Sequence, residues 1–552
     1  MSVKNLTADV LVIGGGINGV GIARDLAGRG LSVVLCEQED LANATSSAST
    51  KIVHGGLRYL EHYDFKLVRE SLMEREVLLR SAPHIIWPLD FVMPHNKDMR
   101  PYWLIRMGLF LYDYLAPREY LPGSEGLNFS KHPVGAPIKD KYKRGVMYAD
   151  CWVEDSRLVV INAMDARERG AKILTRTKCK TVRKKRGSHV WRATLEDKVH
   201  NREVFVDADC VVNAAGPWVD KVIDGIDKNL ATLRTRLVKG SHIVVEKLFE
   251  GPQSYILQND DGRIVFAIPY EQNFTLIGTT DEEYKGNPSE VKISKDEVAY
   301  LCKAVNTYFK RQIAREDVVW AYSGVRPLVE DGESSASKVT RDYILDLKDY
   351  QGLPVLNVYG GKITTYRKLS EAAANLIAEK LGKRTEPWTE FAVLPGGDTN
   401  TIDFDVFYKA FCREFEWLPK DLSARYLRAY GSRARYFLKG ARRIEDLGEH
   451  LGDDIYEAEV AYLVLKEWAL TVEDIILRRS KWGLHITQDT EKAISRTVRK
   501  YKKRFAKPEA SMSFREAREK KNERAAKAAV KSADLGPVTV KPKKIKKKKS
   551  KK

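Results

Sequence analysis

ADVLVIGGGINGVGIARDLAGRGLSVVLCE, residues 8–37 of this 552-residue chain, is the stretch that decides its fold. The apolar run 10–13 has the length and composition of a buried parallel strand. Three glycines in G-x-G-x-x-G spacing follow this run, namely Gly14, Gly16 and Gly19. A helix-period segment comes next, and a second apolar run, 31–35, leads to Glu37. This order of strand, glycine turn, helix, strand and acid predicts a Rossmann-like dinucleotide-binding fold.

Each of these residues has a separate function in such a site. Gly14 permits the tight turn, Gly16 lets the backbone approach a pyrophosphate, and Gly19 lets the helix pack on the strand. The helix N-terminus then offers unpaired N–H groups to the phosphates. Glu37 can accept hydrogen bonds from a ribose hydroxyl, and its charge repels a 2′-phosphate, so the pattern indicates FAD or NAD rather than NADP. The alternative interpretation is a glycine-rich turn that only packs.

The length of the chain allows two or three domains with a substantial core. No window approaches the ~20 apolar residues that are needed to cross a bilayer, and the N-terminus has no apolar segment typical of a secretory signal. The cysteines are scattered, without a C-x-x-C pair: Cys36, Cys151, Cys179, Cys210, Cys302 and Cys412. We therefore expect reduced thiols, a cytosolic chain and no metal site.

The net charge of +19 is concentrated at the C-terminus. Residues 511–552 hold 16 basic and 4 acidic residues and end in KPKKIKKKKSKK. Such a segment has too few apolar side chains to order itself, so we predict a disordered polybasic tail over 509–552. The tail can associate with anionic lipid or, without sequence preference, with nucleic acid. No recognition module accompanies it, so specific nucleic-acid binding is not expected.

Polar and glycine-rich segments recur downstream of Glu37. The small-polar loop 45–49 is suited to wrap a cofactor closely, and HGGLRY, residues 54–59, combines two glycines with His, Arg and Tyr side chains. The apolar strand 210–213 ends in small residues and a glycine turn. Residues 356–366 again give a strand, a glycine turn and a helix that begins near Thr364, which repeats the anion-binding geometry.

Eight motifs lie in one order between residues 5 and 510: IGGGINGVG, ATSSASTKIVHGGLRYLE, MYADCWVEDSRLV, NAAGPWVD, KGSHIVV, YSGVRPL, TRDY and GGKITTYRKL. On these motifs the chain resembles the FAD-dependent glycerol-3-phosphate dehydrogenases of the aerobic, respiratory bacterial type. The resemblance implies a flavoenzyme that oxidises sn-glycerol 3-phosphate to dihydroxyacetone phosphate by hydride transfer to FAD. It also implies that the electrons pass to a membrane quinone.

The expected fold class is α/β, with a Rossmann-like FAD-binding domain, an interleaved antiparallel-sheet substrate (cap) domain and a C-terminal helical domain. Strand patterns between residues 235 and 280 predict the antiparallel sheet. The expected divisions are an oxidoreductase region 1–385, with FAD-binding pieces 5–80, 145–235 and 320–385 and cap segments 81–144 and 236–319, then a helical domain 386–508 and the tail 509–552.

The resemblance implies contacts with FAD at the glycine turns and at the small-polar loop. The expected cofactor-binding residues are Gly14, Gly15, Gly16, Asn18, Gly19, Glu37, Thr45, Ser46, Ser47, Ser49, His54, Gly55, Gly56, Ala215, Gly216, Gly361, Lys362 and Thr364. We expect the turn around Lys362 to face the flavin pyrimidine ring, where negative charge develops on reduction.

Oxidation of a secondary alcohol needs a hydride acceptor, a base and a clamp for the phosphate. The matching motif positions give the substrate-binding residues Arg58, Tyr59, Arg341 and Lys362 and the catalytic residues His54, Arg326 and His242. We expect Arg341, Lys362 and Arg58 to hold the phosphate, because guanidinium and ammonium groups suit a dianion. Arg326 would then stabilise the developing carbonyl. His54 and His242 are both candidates for the base, because imidazole titrates near neutral pH.

The resemblance also implies a homodimer and a peripheral enzyme on the cytoplasmic face of the inner membrane of a bacterium, with a share of the protein in the cytoplasm. Segment 101–117 is rich in aromatic residues and is closed by prolines. It is either a buried amphipathic helix or a helix that dips an apolar face into the lipid headgroups.

Other functions use the same flavin fold. A glycerophosphate oxidase would give its electrons to oxygen and produce hydrogen peroxide, but the extra insertion in the cap that is typical of those enzymes is not seen. The cysteine-rich domain of the anaerobic relative is also missing from the sequence. An amino-acid oxidase needs a carboxylate clamp, and the number of basic groups here suits a phosphate better. The intact motif side chains disfavour an inactive flavin fold that acts only through its basic tail.

Overall fold

A computed structural model describes residues 4–329 and 342–505 of the chain. The described β-strands, in chain order, are β1 (Lys4–Ile13), β2 (Val33–Cys36), β3 (Ile52–Val53), β4 (Ile86–His95), β5 (Glu125–Asn128), β6 (Arg144–Val153), β7 (Lys172–Leu174), β8 (Thr177–Lys184), β9 (Trp191–Asp197), β10 (Arg202–Asn213), β11 (Thr235–Glu246), β12 (Ser254–Gln258), β13 (Ile264–Tyr270), β14 (Phe274–Gly278), β15 (Glu282–Glu283), β16 (Val318–Val329), β17 (Ile344–Tyr350), β18 (Leu353–Tyr359), β19 (His450–Gly452) and β20 (Ile455–Tyr456). The described α-helices are α1 (Ile17–Gly28), α2 (Phe65–Ser81), α3 (Tyr102–Tyr114), α4 (Asp155–Glu168), α5 (Val219–Ile226), α6 (Lys295–Tyr308), α7 (Tyr366–Lys380), α8 (Phe404–Glu414), α9 (Lys420–Tyr430), α10 (Ala434–Leu438), α11 (Glu457–Glu467) and α12 (Gln488–Phe505).

The first sheet has β1 at its centre. Its strand order is β17-β18-β10-β1-β2-β7, and the strands from β18 to β7 are parallel. Val10 of β1 lies opposite both Cys210 of β10 and Val33 of β2. The sequences of these strands are nearly continuous apolar runs, because both faces of the sheet are buried. Helix α1 packs against α4 and α7, and this arrangement confirms the Rossmann-like prediction.

The second sheet is largely antiparallel. Its order is β15-β11-β14-β13-β12-β4-β6-β3, and β16 runs along β11. This confirms the interleaved antiparallel sheet. Strands β3, β6 and β16 belong to it, although we expected their segments in the FAD-binding pieces. An apolar strand pattern shows that a strand is buried, but it does not show which of two adjoining sheets the strand joins.

The C-terminal part of the chain consists of helices α8 to α12 and a short β19–β20 hairpin, which confirms the expected helical domain. Buried ion pairs join it to the rest of the molecule, because Arg157 binds Glu467 and Arg479 binds Asp40 at 2.8 Å. Removal of one partner from such a pair is strongly destabilising. The domain is therefore firmly attached. The predicted tail, 509–552, lies outside the described residues.

Helix α3 exposes aromatic side chains on one face. Leu109 is fully buried, whereas Trp103, Phe110 and Tyr114 are 66%, 60% and 70% exposed. The interpretation of segment 101–117 as a buried helix is therefore wrong, because only one side of α3 packs on the protein.

Among the residues that the structure covers, no helix combines the length and the apolar character needed to cross a membrane.

His84 is a buried titratable group at the attachment of the helical domain. It is 1% exposed, and neither ring nitrogen has a hydrogen-bond partner among the described residues. Burial, together with the positive charges of Arg157 and Arg428, lowers the pKa of His84 to about 3. The unfolded chain has the ordinary pKa of about 6.5 and takes up a proton first. The free energy of unfolding is therefore lost as the pH falls from about 6.5 towards 3.

We predict that His84→Asn makes the protein less sensitive to acid. Between about pH 7 and pH 5, its free energy of unfolding should fall by about 2 kcal/mol less than that of the wild type, because asparagine takes up no proton. Denaturant titrations at the two pH values measure this difference. The control, His189→Asn, changes an exposed histidine and should keep the wild-type pH dependence. Equal losses for the His84 variant and the wild type would contradict the prediction.

Candidate functional site

The glycine turn between β1 and α1 depends on two contacts that only glycine allows. Gly14 has a φ of +116°, and a Cβ there would lie 2.3 Å from the carbonyl oxygen of Ala214. A Cβ on Gly19 would lie 2.0 Å from the carbonyl oxygen of Gly14. Gly16 differs, because a Cβ there would meet only the hydroxyl of Ser46, at 3.1 Å. Gly14 and Gly19 therefore serve packing, and Gly16 leaves the backbone of the turn open to a ligand.

Glu37 follows β2 and supports the glycine turn. Its carboxylate accepts hydrogen bonds from the backbone N–H groups of Gly15, at 2.7 Å, and Glu39, at 2.8 Å. Burial raises the pKa of Glu37, and these two donors oppose the rise. The contact with a ribose hydroxyl stays a prediction. The support of the turn was not apparent from the sequence, because it depends on how β2 ends beside β1.

A cavity of about 1110 Å³ opens beside this turn. Eight of the expected cofactor-binding residues line it: Gly14, Gly16, Glu37, Thr45, Ser46, Ser47, Ala215 and Gly216. The C-terminal helical domain contributes Leu477, Arg478 and Lys481 to the same lining. These three residues were not apparent from the sequence, because no motif marks them and they are distant from the glycine turn along the chain.

The cofactor loop, defined here as residues 38–51, connects β2 to β3 and follows the edge of the cavity. The Ser46 hydroxyl accepts a hydrogen bond from the N–H of Ile17, the first residue of α1, at 3.0 Å. The Ser49 hydroxyl donates to the Oδ2 atom of Asp155 at 2.8 Å. The loop is thus fastened to the N-terminal ends of both α1 and α4. The Ser49 hydroxyl therefore already donates its hydrogen bond to Asp155, the first residue of α4. Its expected contact with FAD stays a prediction.

A second glycine turn, after β18, meets α1. The side-chain amide of Asn18 donates to the carbonyl oxygen of Gly360 at 3.1 Å. Gly361 has a φ of +90°, and a Cβ there would approach the Asn18 amide to 3.2 Å. The Oδ1 atom of Asn18 is buried and receives no hydrogen bond from the described part of the chain. Thr364 accepts a hydrogen bond from the backbone N–H of His54 at 3.3 Å, so this turn also contacts segment 54–59.

These residues fit FAD. The open backbone at Gly16 lies at the N-terminus of α1, where N–H groups and the helix dipole favour a pyrophosphate. Asn18 offers a buried acceptor atom that a ligand donor can satisfy. The cavity is larger than most sites for drug-sized ligands, as a dinucleotide requires. Gly14, Gly16, Thr45 and Ser46 line it and would hold the cofactor.

A buried network of polar side chains holds segment 54–59 in place. The backbone N–H of Gly55 donates to the hydroxyl of Tyr112 at 2.8 Å, and that hydroxyl donates to Asp150 at 2.8 Å. Arg75 pairs with the same carboxylate at 2.7 Å. This network was not apparent from the sequence, because its three side chains come from α2, α3 and β6.

The structure brings together several residues that we expected to bind the substrate. The ammonium group of Lys362 lies 3.8 Å from the centroid of the Tyr59 ring, which is a favourable cation–π distance. Arg58 precedes Tyr59 in the same short helical turn and is half-buried. His54 contacts the Lys362 turn through Thr364. Arg341 lies outside the described residues.

Arg326 lies on β16 and has an acidic partner. Its guanidinium donates to the Oδ1 atom of Asp281 at 2.8 Å. The same guanidinium is close to Gly240 of β11, because a Cβ there would lie 3.2 Å from it. Asp281 therefore fixes the position of a residue that we expect to act in catalysis. The sequence carries no signal for Asp281, which belongs to none of the recognised motifs.

His242 is inaccessible and neutral. It is 2% exposed, its Nε2 atom lies 3.0 Å from the hydroxyl of Thr50, and its ring stacks on Tyr322. Burial, together with the charges of Lys51 and Arg326, lowers the pKa of His242 to about 3. A group with this pKa is a weak base at neutral pH.

Comparison with known proteins agrees with this geometry. The family described as FAD dependent oxidoreductase matches residues 9–367, and the C-terminal domain of alpha-glycerophosphate oxidase matches residues 387–511. The chain is 50% identical to the D-erythritol 1-phosphate dehydrogenase of Brucella abortus over 482 residues, which are 87% of this chain and 96% of that protein. It is 47% identical to the aerobic glycerol-3-phosphate dehydrogenase of Escherichia coli over 496 residues, or 90% and 98% of the two chains. The solved structure of the glycerol-3-phosphate dehydrogenase from Bacillus halodurans, complexed with FAD, matches with a TM-score of 0.71 at 26% identity, covering 90% of this chain and 95% of that chain.

We predict that Gly16→Ala and Gly19→Ala have different effects. The Gly16 variant should purify with little FAD while its apoprotein unfolds near the wild-type temperature, because the added methyl group approaches only the Ser46 hydroxyl and would occupy the space that we expect the pyrophosphate to fill. The Gly19 variant should lose more than about 1 kcal/mol of apoprotein stability, because its methyl group overlaps the backbone. The flavin-to-protein absorbance ratio and thermal melts measure both effects. A Gly16 variant that binds FAD as tightly as the wild type would contradict the prediction.

Proposed function

We propose that this chain, which belongs to the FAD-dependent glycerol-3-phosphate dehydrogenase family, oxidises sn-glycerol 3-phosphate to dihydroxyacetone phosphate. The observation that carries the proposal is the contact between segment 54–59 and the turn at Lys362–Thr364. The backbone of His54, the ring of Tyr59 and the ammonium group of Lys362 all take part in this contact region. The names of the Escherichia coli and Bacillus halodurans relatives support the choice of substrate.

The proposed roles follow from charge and position. When bound, FAD supplies the hydride acceptor. Lys362 and Arg58, with Arg341 as a third group, are suited to hold the phosphate dianion, since cationic donors make strong hydrogen bonds to phosphate. Arg326, positioned by Asp281, would stabilise the C2 oxygen as it becomes a carbonyl. A substrate held at its phosphate end presents its secondary alcohol in a fixed orientation, which lowers the entropic part of the barrier.

We propose His54 as the group that accepts the hydroxyl proton. A general base is most effective when its pKa lies near the working pH. The pKa of His242, about 3, is far below that range. His54 is half-buried, and its backbone is fixed by Thr364 at the Lys362 turn. His242 would then support Thr50 and the neighbouring strand without taking up a proton.

D-erythritol 1-phosphate is a second candidate substrate. The relative named for it is 50% identical over 87% of this chain. Both compounds are polyol phosphates with secondary hydroxyl groups, and the same cationic clamp would suit either phosphate. The two differ by one hydroxylated carbon at the end away from the phosphate, so a direct comparison of reaction rates distinguishes them.

We further propose a membrane quinone as the electron acceptor and peripheral attachment to the cytoplasmic face of the inner membrane. The exposed aromatic face of α3 supports the attachment, since Trp103, Phe110 and Tyr114 suit the interfacial layer of a bilayer. Arg100, which is exposed and lies two residues before the helix, suits anionic headgroups. Oxygen is the alternative acceptor, and reoxidation of the reduced enzyme by a soluble quinone or by oxygen compares the two. The homodimer stays a prediction that light scattering tests.

We predict that glycerol 3-phosphate bleaches the flavin absorbance of the anaerobic enzyme, that glycerol does not, and that D-erythritol 1-phosphate reacts with lower efficiency. Lys362→Met should weaken binding of glycerol 3-phosphate about 10- to 100-fold, because one charged hydrogen bond to the phosphate is lost. Stopped-flow absorbance over a range of substrate concentrations gives the rates and the dissociation constants.

The control variant for this experiment is Lys368→Met, which removes a partly exposed lysine of α7 near the same turn and should leave substrate binding unchanged. Higher efficiency with D-erythritol 1-phosphate would favour the second candidate. A fully loaded enzyme that stays oxidised with both polyol phosphates would exclude the proposed function.

We predict that the double variant Trp103→Ser, Phe110→Ser binds lipid vesicles more than tenfold more weakly, because two exposed aromatic side chains no longer enter the interface. Co-sedimentation at high salt isolates this apolar contribution, since salt screens the attraction of the basic tail. The control, Phe391→Ser, removes a side chain that is 78% exposed elsewhere on the surface and should bind normally. Wild-type binding by the double variant at high salt would contradict a membrane role for α3.

A further inference from the structure

One short segment of the helical domain contacts the cofactor loop directly at one end and, at the other end, through Asp155 of α4. This clamp segment, defined as residues 474–481, follows α11 and begins with a π-helical turn, Asp474–Arg479. It ends at Lys481, which has a left-handed φ of +59°. Arg478 and Lys481 of this segment also line the dinucleotide cavity.

At the first end of the loop, two arginines of the clamp segment bind Asp40. Arg478 donates to its carboxylate at 2.7 Å, and Arg479 donates to both of its oxygens at 2.8 Å. Arg479 and Asp40 are essentially inaccessible. The neighbouring N–H of Ala42 donates to the carbonyl oxygen of Gly15 at 3.1 Å. The arginines therefore hold this end of the loop against the glycine turn.

At the second end of the loop, Lys481 and Lys51 both pair with the carboxylate of Asp155. The ammonium group of Lys481 lies 3.1 Å from the Oδ1 atom of Asp155, and the ammonium group of Lys51 lies 2.8 Å from the Oδ2 atom. The Oδ2 atom also accepts the hydrogen bond from the Ser49 hydroxyl. Burial alone would raise the pKa of Asp155, but Lys481 and Lys51 hold it well below its ordinary value. Asp155 is therefore a carboxylate, fully able to accept from the loop.

We propose that the C-terminal helical domain is part of the cofactor site and that Lys481 is a positioning residue for FAD. Lys481 acts through Asp155 and Ser49 on the cofactor loop, while Arg478 and Arg479 act through Asp40. The clamp segment thus preorganises the loop before FAD binds. This role goes beyond the proposed oxidation reaction, because it concerns retention of the cofactor and not the substrate.

The physical consequence of losing Lys481 follows from this geometry. Asp155 would keep only one of its two cations, so its carboxylate would be held less firmly in the position that accepts the hydrogen bond from Ser49. The loop between Ser46 and Lys51 would then sample more conformations in the apoprotein. FAD would bind more weakly, because part of the binding free energy must order the loop again.

The test compares FAD binding by apoprotein variants at a temperature well below unfolding, with quenching of flavin fluorescence as the measurement. Lys481→Met should bind FAD at least about tenfold more weakly than the wild type, because removal of one partner of a buried ion pair is strongly destabilising and part of that loss appears as disorder of the loop. Lys481→Arg should restore most of the affinity. The control, Lys492→Met, removes an exposed lysine of the same domain and should bind FAD normally.

A double-mutant cycle separates positioning of the loop from general stability. Ser49→Ala combined with Lys481→Met should weaken FAD binding no more than the weaker-binding single variant, because both act through Asp155. Additive losses would overturn the proposal, and so would wild-type affinity in Lys481→Met with only a lowered unfolding temperature. If Lys481→Met does not fold, Arg478→Gln takes its place, and unchanged affinity in that variant also overturns the proposal. No substrate is present, so these results are independent of the proposed reaction.

Discussion

Close backbone contact at the glycine turn is the constraint on which the rest of the structure depends. Gly14 meets the carbonyl of Ala214, and Gly19 meets the carbonyl of Gly14, at distances that no side chain permits. These contacts bring β1, β10 and α1 together and fix where the N-terminus of α1 points. Glu37 and the turn after β10 reach the same cavity as a consequence. The dinucleotide cavity is therefore a result of backbone packing rather than of particular ligand-binding side chains.

Buried charge is the second organising force, and it connects parts of the chain that are distant in sequence. Asp40 lies in the cofactor loop and Asp155 lies beside it, and both pair with cations from the helical domain. Asp150, paired with Arg75, fixes segment 54–59 through another buried ion pair. Buried carboxylates are stable only when cations and donors surround them. The elements that hold the cofactor loop and segment 54–59 therefore depend on tertiary contacts between distant parts of the chain.

The sequence was sufficient for the features that local chemistry determines. The G-x-G-x-x-G turn, the segment 54–59 and the turn at Lys362 each carry their own pattern of glycines and polar residues, and the structure brings them together. The supporting residues were missed, among them Asp281 and Lys481. An isolated acid or lysine has no local signature, because its partner lies on another element. The sequence also left open whether α3 is buried or exposes an apolar face. Helical periodicity shows that two faces of a helix differ, but it does not show what covers each face.

Oxidation at the secondary carbon is tested most directly with deuterated substrate. Anaerobic stopped-flow reduction of the bound flavin is followed with glycerol 3-phosphate that carries deuterium at C2 or at C1. If the clamp formed by Arg58 and Lys362 holds the phosphate and presents C2 to the flavin, deuterium at C2 should slow the reduction and deuterium at C1 should not. Slower reduction with the C1-deuterated compound, or an aldehyde product, would contradict this orientation of the substrate.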